Sequence, residues 1–242
     1  MKTICCIPAR YQSSRFPGKP LALILGKPMI YWVYKSVSEI PEISETYVAT
    51  DDERIFTAVE QFGGKAIMTG ECACGTDRVY EACKDLDFDI VLNIQGDEPM
   101  IRRELVQSLL DAFKDESVYM STLKKRIDKK SEINDPNIAK LITNINNDAV
   151  YFSRSTIPYN RDKTPDITYY KHIGMYGYKN DFLEKFVKLP RTPLEIAEEL
   201  EQLRAIEHGL SIRVVETQHQ SIGVDLPEHI PVVEEYLKER LG

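Results

Sequence analysis

Several things are scarce in these 242 residues. No stretch approaches the roughly 20 consecutive apolar residues that a membrane-crossing helix needs. Positive charge is short: 31 Lys and Arg stand against 38 Asp and Glu, for a formal net charge of −7. General nucleic-acid or membrane-surface binding needs a basic excess, so both are excluded as partners, whereas anionic ligands held by local charge are not. Cysteine is limited to Cys5, Cys6, Cys72, Cys74 and Cys83. Cys5 and Cys6 are adjacent and point to opposite faces of a strand, and Cys72-x-Cys74 lacks a second pair at zinc-like spacing. This scattered, odd set fits reduced thiols in a cytoplasmic setting. The histidines offer no partner pattern for a nucleophilic cysteine. The opening MKTICCIPAR has one Lys and a short apolar run that meets Pro8, so no secretory leader is expected. Neither G-x-x-x-x-G-K-[ST] nor G-x-G-x-x-G occurs, which excludes the two best-known glycine-rich phosphate loops. Repeats, low-complexity tracts and linkers are missing too.

What is present is the composition of an ordinary globular protein, 43% hydrophobic and 29% charged. The length suffices to bury a core without disulfide or metal staples. Strand and helix patterns alternate over the first half. TICCIP (3–8), ETYVAT (45–50), KAIMT and DIVLNIQ (89–95) read as strands. Residues 29–40, 52–63, 75–86 and 103–113 read as helices, the third with Thr76 as N-cap. Such alternation implies an α/β fold with a mostly parallel sheet. After residue 115 the pattern loosens into strands: VYMSTLKK, then NIAKLITN and AVYFSR around the polar turn NINND. A loop over 155–167 follows, then ITYYKHIGMYGY, a long strand whose glycines predict a bend or bulge. DFLEKFVKL, PLEIAEELEQLRAIEHG and LPEHIPVVEEYLKERLG read as helices, with the strand SIRVVET before the last. A single domain over 1–242 with a strand-rich insertion is the economical reading.

In an open α/β sheet, ligands bind at the carboxyl ends of the parallel strands. The first strand runs into PARYQSSRFPGKP, where Arg10, Arg15 and Lys19 stand with no acid among them. Ala9, Ser13, Ser14 and Gly18 are small enough to let backbone amides approach a ligand. Arginine forks and a lysine suit a polyphosphate; a merely solvated loop is the competing reading. The strand at 89–95 runs into Gly96-Asp97-Glu98, and SIGV runs into Asp225. Carboxylates at that edge need partners, and a magnesium ion completed by phosphates and water is one. Each Asp could instead cap a helix. The basic run KKRIDKK at 124–130 reads as a solvated face.

Taken in order, IPAR, GKPMI, VATDD, GTDR, NIQGDEPMI, YFSRSTIPY, HIGMYGY, PLE…LEQLR and GVDLPE resemble the 3-deoxy-manno-octulosonate (Kdo) cytidylyltransferase family. The likeness runs essentially end to end, and QGDEP with GKP and LEQLR is its specific part. It implies a nucleotide-diphospho-sugar transferase (Rossmann-like) fold whose strand-rich insertion serves dimerisation, and hence a homodimer. It also implies magnesium-dependent transfer of CMP from CTP to Kdo in the cytoplasm, for lipopolysaccharide biosynthesis. By position, Arg10, Ser13, Arg15 and Lys19 match the family's CTP-phosphate cradle, and Asp97 and Asp225 its magnesium ligands. Arg15, Lys19 and Asp97 are then the catalytic set. Arg78, Gln95, Arg154, His172, Tyr176, Glu201 and Gln202 match the residues that meet the sugar acid. On residues alone, Arg78 reads as a solvated helix charge, His172 as structural, Tyr176 as packing and EELEQLRAIEHG as an amphipathic helix. IPYNR, CGTDR and GVDLPEH depart from the family's commoner IPWDR, SGTER and GVDTPED. Because these departures lie near the sugar and metal, 8-amino-Kdo or a sialic-type keto acid stays open as substrate. A catalytically silent paralogue is disfavoured by Lys19, Asp97 and Asp225.

Overall fold

The computed structural model describes residues 1–12, 16–162, 167–219, 223–224 and 226–241. Ser13, Arg15 and Asp225, three of the expected site residues, lie outside them. The chain forms two compact units, Met1–Arg103 with Ser221–Gly242, and Glu104–Gln220.

The first unit is built on parallel strands. β1 (Thr3–Pro8) is buried along its whole length, which its unbroken apolar sequence requires. A short hairpin, β2 (Leu23–Ile24) and β3 (Lys27–Pro28), turns through Leu25 and Gly26, both at positive φ, and was not foreseen. β4 (Glu45–Thr50) and β6 (Ile90–Asn93) flank β1 in parallel, and β5 (Ala66–Met68) extends the sheet beyond β4. Helices α1 (Met29–Ser38), α2 (Glu53–Gln61) and α3 (Gly75–Cys83) make the crossovers that parallel pairing demands. Pro8, Thr50 and Asn93 therefore end at one edge of the sheet. A C-terminal helix, Ile230–Leu241, buries Val233 and Leu237 against Ile24, Met29 and Trp32.

The N-cap of α3 is Cys74, whose Sγ accepts from the Asp77 amide, in place of the expected Thr76. Thr76 lies inside the helix because its hydroxyl is needed below: it is buried and accepts from Asn93 Nδ2 at 3.2 Å. The helix α4 (Arg103–Asp111) follows the β6 loop.

In the second unit, β7 (Met120–Arg126) pairs antiparallel with β10 (Tyr170–Lys179), and β11 (Arg213–Glu216) lies parallel to β7. The register shifts between Ile173 and Tyr176, the irregularity that the glycines of this strand led us to expect. β8 (Lys140–Thr143) and β9 (Ala149–Ser153) form the expected antiparallel pair, with Lys140 opposite Lys171 of β10. The helices are α5 (Lys130–Ile133), α6 (Asn180–Val187), α7 (Pro193–Glu198) and α8 (Leu203–Glu207).

Two expectations are corrected here. PLEIAEELEQLRAIEHG is not one helix: α7 stops at Glu198 and Glu199 turns to φ 50. The break is held from inside, because Arg204 of α8 folds back to make two bonds, 2.9 and 2.7 Å, to the buried Glu195 carboxylate of α7. In KKRIDKK, Lys124 is buried, not solvated. Its ammonium donates to Thr143 Oγ1 and sits 4.5 Å from the centre of the Tyr170 ring. Arg126 and residues 128–130 are exposed, as a solvated face should be.

Candidate active site

The loop after β1 is tied back on itself. The Gly18 amide donates to the Tyr11 carbonyl at 2.8 Å, and Gly18 holds φ 71 with the Tyr11 ring 3.1 Å from where a Cβ would stand. A side chain at 18 would meet both a strained backbone and the ring. Immediately after this turn, Lys19 sends its ammonium to Asp97 Oδ2 at 2.6 Å. Asp97 reaches the same place from the loop after β6. Gly96 makes that approach possible, since a Cβ there would lie 3.0 Å from the Pro8 carbonyl. Arg10, Gln12, Lys19, Gly75, Gln95 and Asp97 line a cavity of about 340 Å³ at this edge.

Arg10 and Gln12 also line a second cavity of about 580 Å³, with Asp51, Thr69, Cys72 and Arg78. Arg78 is fully buried, which removes the solvated-charge reading of it. Its guanidinium donates to Asp51 Oδ2 at 2.5 Å and Thr69 Oγ1 at 2.6 Å, and its Nε is buried with no partner among the described residues. Asp51 and Thr69 were missed from sequence. The available signal was the one that exposed Asp97, an acid directly after a strand, here β4. Gln95 donates to Asn93 Oδ1 at 3.3 Å and so faces the first cavity with its amide oriented from below.

The remaining expected residues sit in the second unit. Arg154 follows β9 and donates to the carbonyls of Glu198, Pro136 and Glu199. His172 Nε2 lies 2.9 Å from Thr122 Oγ1, while that hydroxyl donates to the Met175 carbonyl at 2.8 Å. With the hydroxyl proton so directed, the imidazole carries its own proton on Nε2. Part of the ring edge is accessible, but the packing of Phe152 and Tyr176 around it removes water and pulls its pKa down to about 3. The imidazole is neutral at physiological pH. Tyr176 lies beside it, ring centres 5.4 Å apart, and burial, aided by the Glu201 charge, pushes its phenol well above the ordinary value. Glu201 and Gln202 occupy the α7–α8 junction. Gln202 is buried and its Nε2 has no partner among the described residues. The structure thus brings Arg10, Lys19, Gln95 and Asp97 together in one place, and His172, Tyr176 and Glu201 in another.

Whether these residues suit magnesium is a question of donor chemistry. Among the described residues, no three His, Cys, Asp or Glu side chains cluster to hold a metal unaided. Asp97 is a partly exposed carboxylate in a cavity roomy enough for phosphate oxygens and water, which is how magnesium is commonly held. The Val224 amide donates to the Asp97 carbonyl at 2.8 Å, one residue before Asp225 in the chain. The donor set fits the ion.

A cationic loop and a carboxylate at the carboxyl edge of parallel strands define an α/β protein built to hold a phosphate-bearing ligand. Comparison with known proteins narrows the class. Residues 4–212 match the cytidylyltransferase family model. Among curated relatives, the 3-deoxy-manno-octulosonate cytidylyltransferase of Fusobacterium nucleatum is 48% identical, covering 99% of this chain and 98% of its own. The one from Syntrophus aciditrophicus is 49% identical with the same coverage. A solved structure of CMP:2-keto-3-deoxy-manno-octonic acid synthetase complexed with CTP superposes with a TM-score of 0.93 at 43% identity, over 99% of this chain and all of that one. A 4-diphosphocytidyl-2C-methyl-D-erythritol synthase from Anaerococcus prevotii shares the fold alone, at TM-score 0.63 and 17% identity. The chain belongs to the cytidylyltransferase family, in its 3-deoxy-manno-octulosonate cytidylyltransferase branch.

Proposed function

We propose that the chain transfers CMP from CTP to Kdo, releasing pyrophosphate. The observation that carries this is the cavity holding Arg10, Lys19 and Asp97 in a chain so similar, end to end, to a synthetase solved with CTP. Arg10 and Lys19, with Ser13 and Arg15 of the same loop, hold the triphosphate. Asp97 and Asp225 hold magnesium, which when bound neutralises phosphate charge as the reaction proceeds. The sugar's anomeric hydroxyl attacks the α-phosphorus in line, and the bond to the β-phosphate oxygen breaks. Such transfers depend chiefly on positioning and on stabilising the leaving group's charge, and Arg15 and Lys19 take that charge.

Sugar recognition falls to Arg78, Gln95, Arg154, His172, Tyr176, Glu201 and Gln202. Kdo is an anionic polyol, so cations suit its carboxylate and neutral or acidic side chains its hydroxyls. The neutral His172, whose Nε2–H is given to Thr122 so that Nδ1 is an acceptor, and the buried amide of Gln202, a donor, are fixed groups of that kind. Lys19, now paired with Asp97 at 2.6 Å, would be free to turn to phosphate oxygens if magnesium took its place on that carboxylate. The resemblance further supports a homodimer, which sedimentation would test, and a place in lipopolysaccharide biosynthesis. No helix among the described residues is long and apolar enough to cross a membrane.

The deciding experiment is pyrophosphate release with magnesium, each of CTP, ATP and GTP, and a panel of Kdo, 8-amino-Kdo and sialic acid. The expected result is release that needs both CTP and Kdo. Equal rates with ATP, or release indifferent to the sugar, would overturn the reading.

A further inference from the structure

Four hydrogen bonds join Ser153 and Arg154, at the end of β9, to Glu198 and Glu199, at the end of α7. The Glu198 carboxylate accepts the Ser153 hydroxyl at 2.6 Å and the Arg154 backbone N–H at 2.9 Å. Arg154 answers with its side chain: Nε donates to the Glu198 carbonyl at 2.7 Å, and Nη2 reaches the Glu199 carbonyl at 3.5 Å. The Tyr151 hydroxyl adds a longer contact to Glu198 at 3.4 Å. Each residue thus holds the other's backbone, across 44 positions of sequence.

The strand side of this clasp is itself anchored. Lys140 is fully buried, and its ammonium donates to the carbonyls of Arg154, Asp135 and Ile138 at 2.5, 2.8 and 2.7 Å. Arg154 Nη1 also donates to the Pro136 carbonyl. The helix side leads directly into the α7–α8 junction, where Glu201 and Gln202 follow within four residues of Glu198. Burial alone raises the Glu198 pKa, but the bonds from Ser153, Arg154 and Tyr151 outweigh it and hold the group below its ordinary value. It is an anion built into the scaffold.

We infer that Glu198 is a positioning residue for sugar binding, locking Arg154 and the Glu201–Gln202 junction into one rigid piece. This rests on the reading of the reaction given above. Glu198 carries no role in that reading, and nothing in its own position in the sequence, within an acid-rich helix, separates it from Glu199. Its action is indirect. Without its carboxylate the Arg154 amide and the Ser153 hydroxyl lose their acceptor, and the chain reversal at Glu199 is tied to the strand only by the Arg154 side chain's bonds to backbone carbonyls. The buried Gln202 amide, whose Nε2 has no partner among the described residues, moves with α8.

The test is steady-state kinetics on the full chain with CTP, magnesium and Kdo, beside melting curves, for the parent, Glu198→Ala, Glu198→Gln and Ser153→Ala. Glu198→Ala is expected to raise the KM for Kdo roughly 10-fold or more, as loss of buried hydrogen bonds at a binding site does, with the KM for CTP unchanged within about twofold. Glu198→Gln should recover part of the loss, because its carbonyl oxygen still accepts the Arg154 amide. Ser153→Ala should show a smaller rise in the same constant. The inference is overturned if the two KM values rise together, or if the Kdo constant stays at the parent's value. Should Glu198→Ala fail to fold, the other two variants decide: a rise in the Kdo constant alone supports the clasp, and parent-like constants in both overturn it. A parent that turns over with CTP but not with Kdo sinks the substrate reading instead, and the inference with it.

Discussion

The cavity after β1 and the second unit hold their candidate residues in opposite ways. In the first, Arg10 is exposed, Lys19 and Asp97 meet through one short contact, and all three face an open cavity. In the second, Arg154 is bound to three carbonyls, His172 is bonded to Thr122, and Gln202 is buried. The first arrangement suits a ligand whose charge changes during reaction: a triphosphate arrives, and a pyrophosphate leaves. Loosely held ions can follow that change. The second suits a ligand recognised by the pattern of its hydroxyls, where a fixed donor set discriminates better than a mobile one. The difference suggests that mutations at the cavity will cost activity with little loss of stability, and mutations in the second unit will cost both.

The sharpest break of that comparison is Asp97→Asn. Asparagine keeps the size and hydrogen-bonding capacity but loses the charge that holds the ion. Turnover is expected to fall by more than roughly 10³-fold, as loss of metal-centred charge stabilisation implies, while the melting temperature stays close to the parent's. Pyrophosphate release measured against magnesium concentration checks it. Removing magnesium from the parent with a chelator should reproduce the loss.

Glu195→Ala is the counterpart in the second unit. It leaves the buried Arg204 guanidinium without its carboxylate. Breaking a buried pair from one side costs about 3–5 kcal/mol, to be read from urea unfolding. A loss below about 1 kcal/mol, the value of an exposed ion pair, would erase the contrast between the units.

Lys19→Ala comes next, with turnover down roughly 10²–10³-fold, the effect of removing one donor to developing charge. Its folding should be little affected, because the Lys19 ammonium meets a partly exposed carboxylate and no part of the core. Near-normal turnover would return the basic loop to a solvated role.

Smaller still is a pH effect from His172. Its folded pKa of about 3 lies below the unfolded value of about 6.5. The unfolded chain therefore takes up the proton first. This contribution to stability is complete above pH 6.5 and is lost as pH falls from there toward 3. Unfolding free energy followed between pH 7 and 4 should decline less steeply in His172→Gln than in the parent; parallel slopes would show that the imidazole is not held neutral.

Much of this was legible in the sequence where the signal is local. TICCIP has the apolar character of a buried strand, and it and ETYVAT are strands at their expected bounds. The charges after β1 stand out because an acidic chain leaves cations there without neighbouring acids, and those after β6 because an apolar strand runs directly into carboxylates. The glycines of HIGMYGY announce the irregularity in β10. What was not legible depends on partners far away in the chain. Arg78 looks like a surface helix charge until Asp51, 27 residues earlier, is placed against it. The break after α7 follows from Arg204 reaching Glu195 and from β9 meeting Glu198, neither of which periodicity encodes. Lys124 reads as an ordinary solvated lysine, and only the fold shows the hydroxyl and ring that receive it.

The central claim is that the cavity of Arg10, Lys19 and Asp97 binds the nucleotide, while the second unit's Gln202 serves the sugar alone. Calorimetric titration of CTP with magnesium, in the absence of any sugar, tests it on the parent, Lys19→Ala and Gln202→Ala. The account predicts that Lys19→Ala weakens CTP binding roughly 10-fold or more, the scale of one charge-assisted phosphate contact, while Gln202→Ala binds CTP as the parent does and is impaired only once Kdo is required. If Gln202→Ala weakens CTP as much as Lys19→Ala does, or if Lys19→Ala binds CTP normally, the division of labour is contradicted.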